Sequence, residues 1–400
     1  MVTLSDVFPR VASKQLAAVD LPHLGSNQHE LNGVQALREF FETGERLQET
    51  IHLHLYRDET ETQHDTTEVT FYDSREKSAH RSPEWRLYYR GDFLAAASPG
   101  DMLILARTRD GELHGFVFQE GSGWLSAARA LFPLEGQETK FSVISADALS
   151  SATIALAERR ILAELGIDVA IPTEQQYEGL ARSILQAAGD KFPSTKQMSL
   201  AARESVRVDV SDVDSAICYW LDAEEQLFYA METILLGERL KSGFVSVDAF
   251  IELAQSALQR RKSRMGHSLQ HHAQEVFILS NLNFTPQART ERKNRPDFLF
   301  PGESEYRDKT VRPDQLTMLA AKSTCKDRWR QILTEAEQIP RKHLLTLDQA
   351  LSADQIDEMQ QSSVALVIPA PLQKGYDAAI SRHFMTLSEF VEHVRQQQSP

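Results

Sequence analysis

Four apolar runs in the last third of the chain constrain its fold most. They are Phe298-Leu299-Phe300, Leu316 to Ala321, Lys342-His343-Leu344-Leu345-Thr346-Leu347 and Val364-Ala365-Leu366-Val367-Ile368-Pro369. The last is apolar throughout, the mark of a strand covered on both faces. Polar stretches separate the runs, and one of them, Asp327 to Glu337, spaces Trp329, Ile332 and Leu333 for one face of a helix. Strands alternating with helices predict an α/β core. An acid, Asp297, stands immediately before the first run, and a lysine, Lys322, ends the second.

The first third reads differently. Ile51 to Tyr56 alternates apolar and polar residues, and Glu68 to Tyr72 and Arg86 to Tyr89 add two more strands. Asp101 to Arg107 and Leu113 to Phe118 flank Asp110-Gly111, a hairpin signal. Strands at this spacing predict a mostly β, barrel-like domain. From about Ser150 the pattern turns helical, with one helix over Ile154 to Gly166. Pro172, Gly179, Gly189 and Pro193 then interrupt the chain. At 400 residues more than one core is expected. The predicted division is a β domain over residues 1–165, a linker over 166–190, and an α/β domain with an added helical region over 191–400. Leu227 to Lys241 and Ser268 to Ser280 are helices of that region, and Ser246 is the N-cap of another.

A net charge of −14 does not suggest a nucleic-acid binder. Phosphate contacts, however, need only a local basic face. Arg260-Arg261-Lys262 with Arg264, Arg289 with Arg292-Lys293 and Arg295, and Lys322 to Arg330 supply three such clusters within about a hundred residues. Cys218 and Cys325 are the only cysteines. They cannot make a disulfide framework or a four-cysteine zinc site, and they fit a reducing cytoplasm. No apolar run approaches the roughly 18 residues that span a bilayer, and the first residues lack the basic and apolar regions of a signal peptide. No membrane partner is expected.

Asp297 and Lys322 suit phosphodiester hydrolysis, in which a carboxylate holds Mg²⁺ and a cation steadies developing negative charge. Glu335 can return to the site as a second acid. On spacing alone such a pair is common. His267, His271 and Glu275 recur at four-residue steps on one helix face, which leaves a metal-dependent small-molecule hydrolase as a rival. In the β domain the loop Asp73 to Trp85 carries arginines, a lysine and an aromatic residue, a composition that serves equally as a solvated hairpin or along a phosphate backbone.

Three runs narrow this choice: Arg260-Arg261-Lys262-Ser263-Arg264, Arg295-Pro296-Asp297-Phe298-Leu299-Phe300-Pro301 and Lys322-Ser323-Thr324-Cys325-Lys326-Asp327-Arg328-Trp329-Arg330-Gln331-Ile332-Leu333. In order and approximate spacing they resemble the EcoRII-like restriction endonucleases, over roughly residues 190–400. The resemblance implies a PD-(D/E)XK nuclease core in which the second acid sits on the following helix. It implies Mg²⁺-dependent cleavage of double-stranded DNA by a homodimer, in a bacterial cytoplasm where a cognate DNA methyltransferase acts on the same site. Asp297, Lys322, Glu335 and Tyr306 would be catalytic, and Asp297 and Glu335 would hold metal. The family also has a glutamate early on the preceding helix. Gln270 or Gln274 stands there in this chain, with Glu275 the nearest acid and so the third candidate metal ligand.

In relatives a basic-acidic-basic triplet reads successive G·C pairs, which here is Lys326, Asp327 and Arg328. Lys and Arg donate to guanine, and an acid accepts from cytosine N4. The implied target contains CC and GG half-sites. Ser26 to Glu30 and Asp73 to Arg90 resemble the effector DNA-binding pseudobarrel of such enzymes. Asn27, Gln28, His29, Glu30, Arg75, Lys77, Arg81, Trp85 and Arg86 would be its DNA contacts, and the domain would bind a second site and regulate cleavage, the type IIE arrangement. The rival within this resemblance is a sequence-specific DNA-binding regulator with an inactive nuclease fold.

Overall fold

Period-2 alternation in the first third becomes one eight-stranded sheet. In the computed structural model, which describes residues 3–24, 29–31, 34–57, 62–76, 80–134, 139–151, 154, 156–167, 175–376 and 378–398, its strands are β1 (Arg10–Gln15), β2 (Glu30–Leu31), β3 (Leu47–Tyr56), β4 (Thr62–Asp73), β5 (Trp85–Tyr89), β6 (Met102–Arg107), β7 (Leu113–Phe118) and β8 (Ser142–Val143). Their order is β2-β5-β4-β3-β7-β6-β1-β8. Among the described residues only the β3–β7 pair is parallel. Asp110-Gly111 makes the β6–β7 turn, with Gly111 at φ 88° as a left-handed turn position requires.

This sheet belongs to a first unit, Met1–Val169 with Gln349–Gln355. One sheet face encloses a core that includes Ile51, Leu53, Leu55, Phe71, Trp85 and Leu105. Tyr56, Ile104, Phe116 and Phe118 on the other face pack with residues of α1 (Gly123–Leu131) and α2 (Leu156–Glu164). The histidines of the alternating β3 run lie on that second face. His54 meets His64 at 2.8 Å and His114 at 3.2 Å, and burial, with repulsion from its histidine neighbours, pushes it down to about 4. Ala350, from far along the chain, joins this second core. Gly123 allows the approach, since a Cβ there would fall 2.2 Å from the Ala350 carbonyl oxygen.

The second unit comprises Ala170–Asp348 and Ile356–Pro400. Its sheet contains β9 (Thr285–Pro286), β10 (Phe298–Phe300), β11 (Thr317–Lys322), β12 (Lys342–Thr346) and β13 (Val364–Val367), in the order β13-β12-β11-β10-β9. The last three strands run parallel, and β10 runs antiparallel to both neighbours. The expected α/β alternation is therefore a mixed sheet with helices. Where a linker was expected over 166–190, helix α3 (Gln175–Ala187) forms, because Tyr177, Ala181 and Leu185 make a buried stripe at four-residue spacing. It packs with α4 (Thr195–Ser205) and α5 (Val213–Ser242) in one cluster. Pro172 lies outside the described residues.

Helix α6 (Val247–Leu279) is capped by Ser246, whose hydroxyl accepts from the Ala249 N–H at 3.1 Å. Near its end Leu269, Ala273, Val276 and Phe277 are fully buried, and Phe277 meets Phe298 and Phe300 edge-on. The arginine-rich run lies along α6 and is largely committed to packing. Arg260, Arg261 and Arg264 stack over Phe192, Tyr229 and Phe228, while Arg261 and Arg264 also pair with Glu232 and Glu225. The expected helix Asp327 to Glu337 is instead a 3₁₀ helix over Lys326–Thr334, followed by a turn with Ala336 at φ 48°. Trp329 and Ile332 are buried, as their spacing requires.

Candidate active site

The antiparallel register Phe298↔Leu319 brings Asp297 beside the end of β11. The Ala321 N–H donates to Asp297 Oδ2 at 2.8 Å, and Lys322 Nζ donates to the same oxygen at 3.1 Å. Helix α6 sends Gln270, whose Nε2 donates to Asp297 Oδ1 at 2.7 Å. Gln287, in the turn after β9, donates to that oxygen at 2.8 Å, and its backbone N–H donates to the Asp297 carbonyl at 3.1 Å. Asp297 itself is only 5% exposed. A buried carboxylate persists only when paired and hydrogen-bonded, and this one has four donors from three parts of the chain.

Glu335 caps the end of the 3₁₀ helix. Burial raises its carboxyl from the ordinary 4.5 to about 7, Lys322 pulls it down and Asp297 pushes it up. Those influences place it in the electrostatic field of the Asp297–Lys322 pair. Its Oε2 is buried with no hydrogen-bond partner. Lys342 holds the backbone around it by donating from Nζ to the carbonyls of Glu335, Ala336 and Ile339 at 2.6, 2.6 and 2.7 Å.

The raised Glu335 carboxyl has a consequence for stability. The folded chain holds the proton more tightly than the unfolded chain, so its contribution is full below about 4.5 and is lost as pH rises through about 7. Glu335→Gln should therefore flatten the decline of stability between about pH 5 and pH 8 in EDTA, by of order 2 kcal/mol after solvent screening. Thermal unfolding of both proteins across that range measures it, and parallel curves would remove Glu335 from this buried field.

Tyr306 sits on the short helix α7 (Glu303–Arg307), in the polar stretch between the first two apolar runs. Its hydroxyl meets both oxygens of Glu291 at 2.7 Å, and Glu291 also accepts from the Glu337 N–H at 3.1 Å. Tyr306 thus secures the turn after Glu335, and the structure gives it no hydrogen bond to Asp297 or Lys322. Glu275 is not brought to the site either. It pairs with Arg203 at 3.4 Å, and Gln270 takes the place beside Asp297. The reason is angular: five residues turn a helix by about 500°, well off the face that points at Asp297. His267 and His271 bond to the Ser263 carbonyl and the Thr195 hydroxyl. Among the described residues no three His, Cys, Asp or Glu side chains are placed to hold a metal ion together.

After Lys322 the chain turns into the 3₁₀ helix, and the Cys325 N–H donates to buried Asp348 Oδ2 at 2.7 Å. Arg328 is exposed there; the side chains of Lys326 and Asp327 lie outside the described residues. Lys293 and Arg295, close to Asp297 in sequence, are also exposed.

Of the expected DNA contacts in the first unit, Asn27, Gln28 and Lys77 lie outside the described residues. Trp85 points into the core, stacked on Phe71 at 4.7 Å, because residues 85, 87 and 89 face inward on β5. Arg75 pairs with Glu84. Arg86 bonds Glu84 and Glu30, and Glu30 also accepts from Tyr72. His29 packs edge-on against Tyr89. Arg81 is exposed.

Sequence reasoning missed Gln287, Glu291 and Lys342. Nothing in their spacing marks them. Gln270 was visible only as one of two glutamines where relatives carry an acid.

Residues 228–391 match the family described as EcoRII C terminal. The type II restriction enzyme EcoRII of Escherichia coli is 41% identical over 202 residues, which are 50% of this chain and 50% of that protein. The match thus spans half the length of the relative. A structure of metal-depleted Ecl18kI in complex with uncleaved, modified DNA aligns with a TM-score of 0.45 at 15% identity, over 55% of this chain and 84% of that one. A PspGI–substrate DNA complex aligns with a TM-score of 0.40 at 12% identity, over 57% and 97%. The C-terminal half of this chain thus resembles EcoRII, and residues 228–391 carry the match to its C-terminal domain family.

Proposed function

We propose that this chain is a type II site-specific deoxyribonuclease that hydrolyses phosphodiester bonds of double-stranded DNA with Mg²⁺, at a short site containing CC and GG. The observation that carries this reading is the Asp297–Lys322 pair at the start of β10 and the end of β11, with Glu335 near enough to feel both charges. A PD-(D/E)XK core with a displaced second acid accounts for that arrangement.

The residues fit Mg²⁺. The ion is usually held by one or two carboxylates together with substrate phosphate, and the buried Glu335 Oε2 has no partner. Asp297 and Glu335 would hold it, and when bound it neutralises phosphate charge and makes its water more acidic. Lys322 orients the attacking water or donates to the phosphoryl oxygen where negative charge develops. Once deprotonated, Glu335 would offer its buried Oε2 as the second carboxylate ligand. Tyr306 and Lys342 act through the backbone around Glu335.

Arg328, with Lys326 and Asp327, reads base edges, and exposed Lys293 and Arg295 meet phosphates. Residues 191–400 form the catalytic part and residues 1–165 a second DNA-binding domain that regulates cleavage. A homodimer supplies one site per strand. Exposed Val245, Val247, Phe250 and Leu258, at and near the turn between α5 and α6, offer it an apolar surface.

The test is incubation of the full chain with plasmid DNA and Mg²⁺, followed by sequencing of fragment ends. Discrete fragments with one shared terminal sequence are expected. Intact plasmid, or ends without a shared sequence, would refute site-specific cleavage.

A further inference from the structure

Asp297 has more donors than its role requires. A carboxylate offers about four lone-pair positions, and Gln270, Gln287, Ala321 and Lys322 supply four hydrogen bonds, two to each oxygen. The two oxygens are held differently. Oδ2 is bonded by a backbone N–H inside the sheet and by Lys322, so its donors are fixed by β11. Oδ1 is bonded only by the two side-chain amides. Both must present nitrogen, since the acceptor is a carboxylate and an amide oxygen facing it would be repelled.

Gln270 is anchored next to Leu269, which is fully buried, and Gln287 is anchored through its backbone bond to the Asp297 carbonyl. Among the described residues neither side chain makes another hydrogen bond. We infer that Gln270 and Gln287 form an amide latch on Asp297 Oδ1 and set how tightly this site takes a divalent cation. The latch orients the carboxylate while the oxygen is not needed, and a cation must displace at least one amide to reach it. Gln270 is therefore a positioning residue, acting through Asp297.

This rests on the reading of Asp297 as a cation ligand, and the test separates the two. Mn²⁺ is titrated calorimetrically into the full chain without DNA. Asp297→Asn should abolish the binding seen in the wild type. Gln270→Ala removes one competing donor and should tighten Mn²⁺ binding several-fold. Gln270→Glu removes the donor and adds a charge, and should tighten it tenfold or more. Thermal unfolding without cation checks that both variants fold, and the alanine variant keeps the test open if the glutamate variant does not. Unchanged or weaker Mn²⁺ binding in folded Gln270→Ala overturns the latch while Asp297 keeps its role. Mn²⁺ binding that survives Asp297→Asn overturns both.

Discussion

If the proposed nuclease reading holds, Lys322→Ala should lower DNA cleavage by a factor of roughly 10³, the scale lost when one preorganised charge partner leaves a reacting centre. Lys322 ends β11, and among the described residues its Nζ makes one hydrogen bond, to Asp297 Oδ2 at 3.1 Å. The alanine variant leaves the sheet intact. Ala321 still donates its N–H to Asp297, and both glutamines still reach Oδ1. Folding and DNA binding without Mg²⁺ should therefore change little, while the chemical step fails. Single-turnover cleavage and a gel-shift titration, run on the same DNA, measure the two effects. Cleavage within tenfold of the wild type would take Lys322 out of the mechanism. Loss of binding equal to the loss of cleavage would make it a phosphate anchor.

The strands around this site were legible in the sequence because each is a short apolar run with a polar boundary. The same holds for Asp297 and Lys322, whose strand-end positions follow from where those runs begin and end. What surrounds them was not legible, because it depends on register and on residues distant in the chain. Gln270 reaches Asp297 only because α6 buries Leu269, Ala273 and Phe277 against the sheet. Glu335 was expected on a helix, but the carbonyls that would have continued that helix turn toward Lys342 instead. In the β domain, a tryptophan flanked by charged residues read as surface, whereas strand alternation turned Trp85 inward. Residues 349–355 belong to the first unit, where Ala350 lies against Gly123, a pairing of residues distant in the chain that leaves no local pattern.

Lys342→Met should be the most destabilising single change near the site. Lys342 is 4% exposed, and burial pulls its ammonium down from the usual lysine range. It stays paired because three carbonyls converge on Nζ within 2.7 Å. Methionine matches its length but cannot donate, which leaves those carbonyls without their shared donor. At about 1.5–3 kcal/mol for each bond to a charged group, and with relaxation of the turn recovering part of it, the loss is roughly 3–5 kcal/mol. Cleavage should fall further than stability explains, because the turn that relaxes is the one that carries Glu335. Denaturant unfolding monitored in the second unit, with cleavage measured well below its transition, separates the two losses. A stability change under about 1 kcal/mol would mean that water replaces the ammonium, and wild-type cleavage in the folded variant would mean that Glu335 holds its place without it.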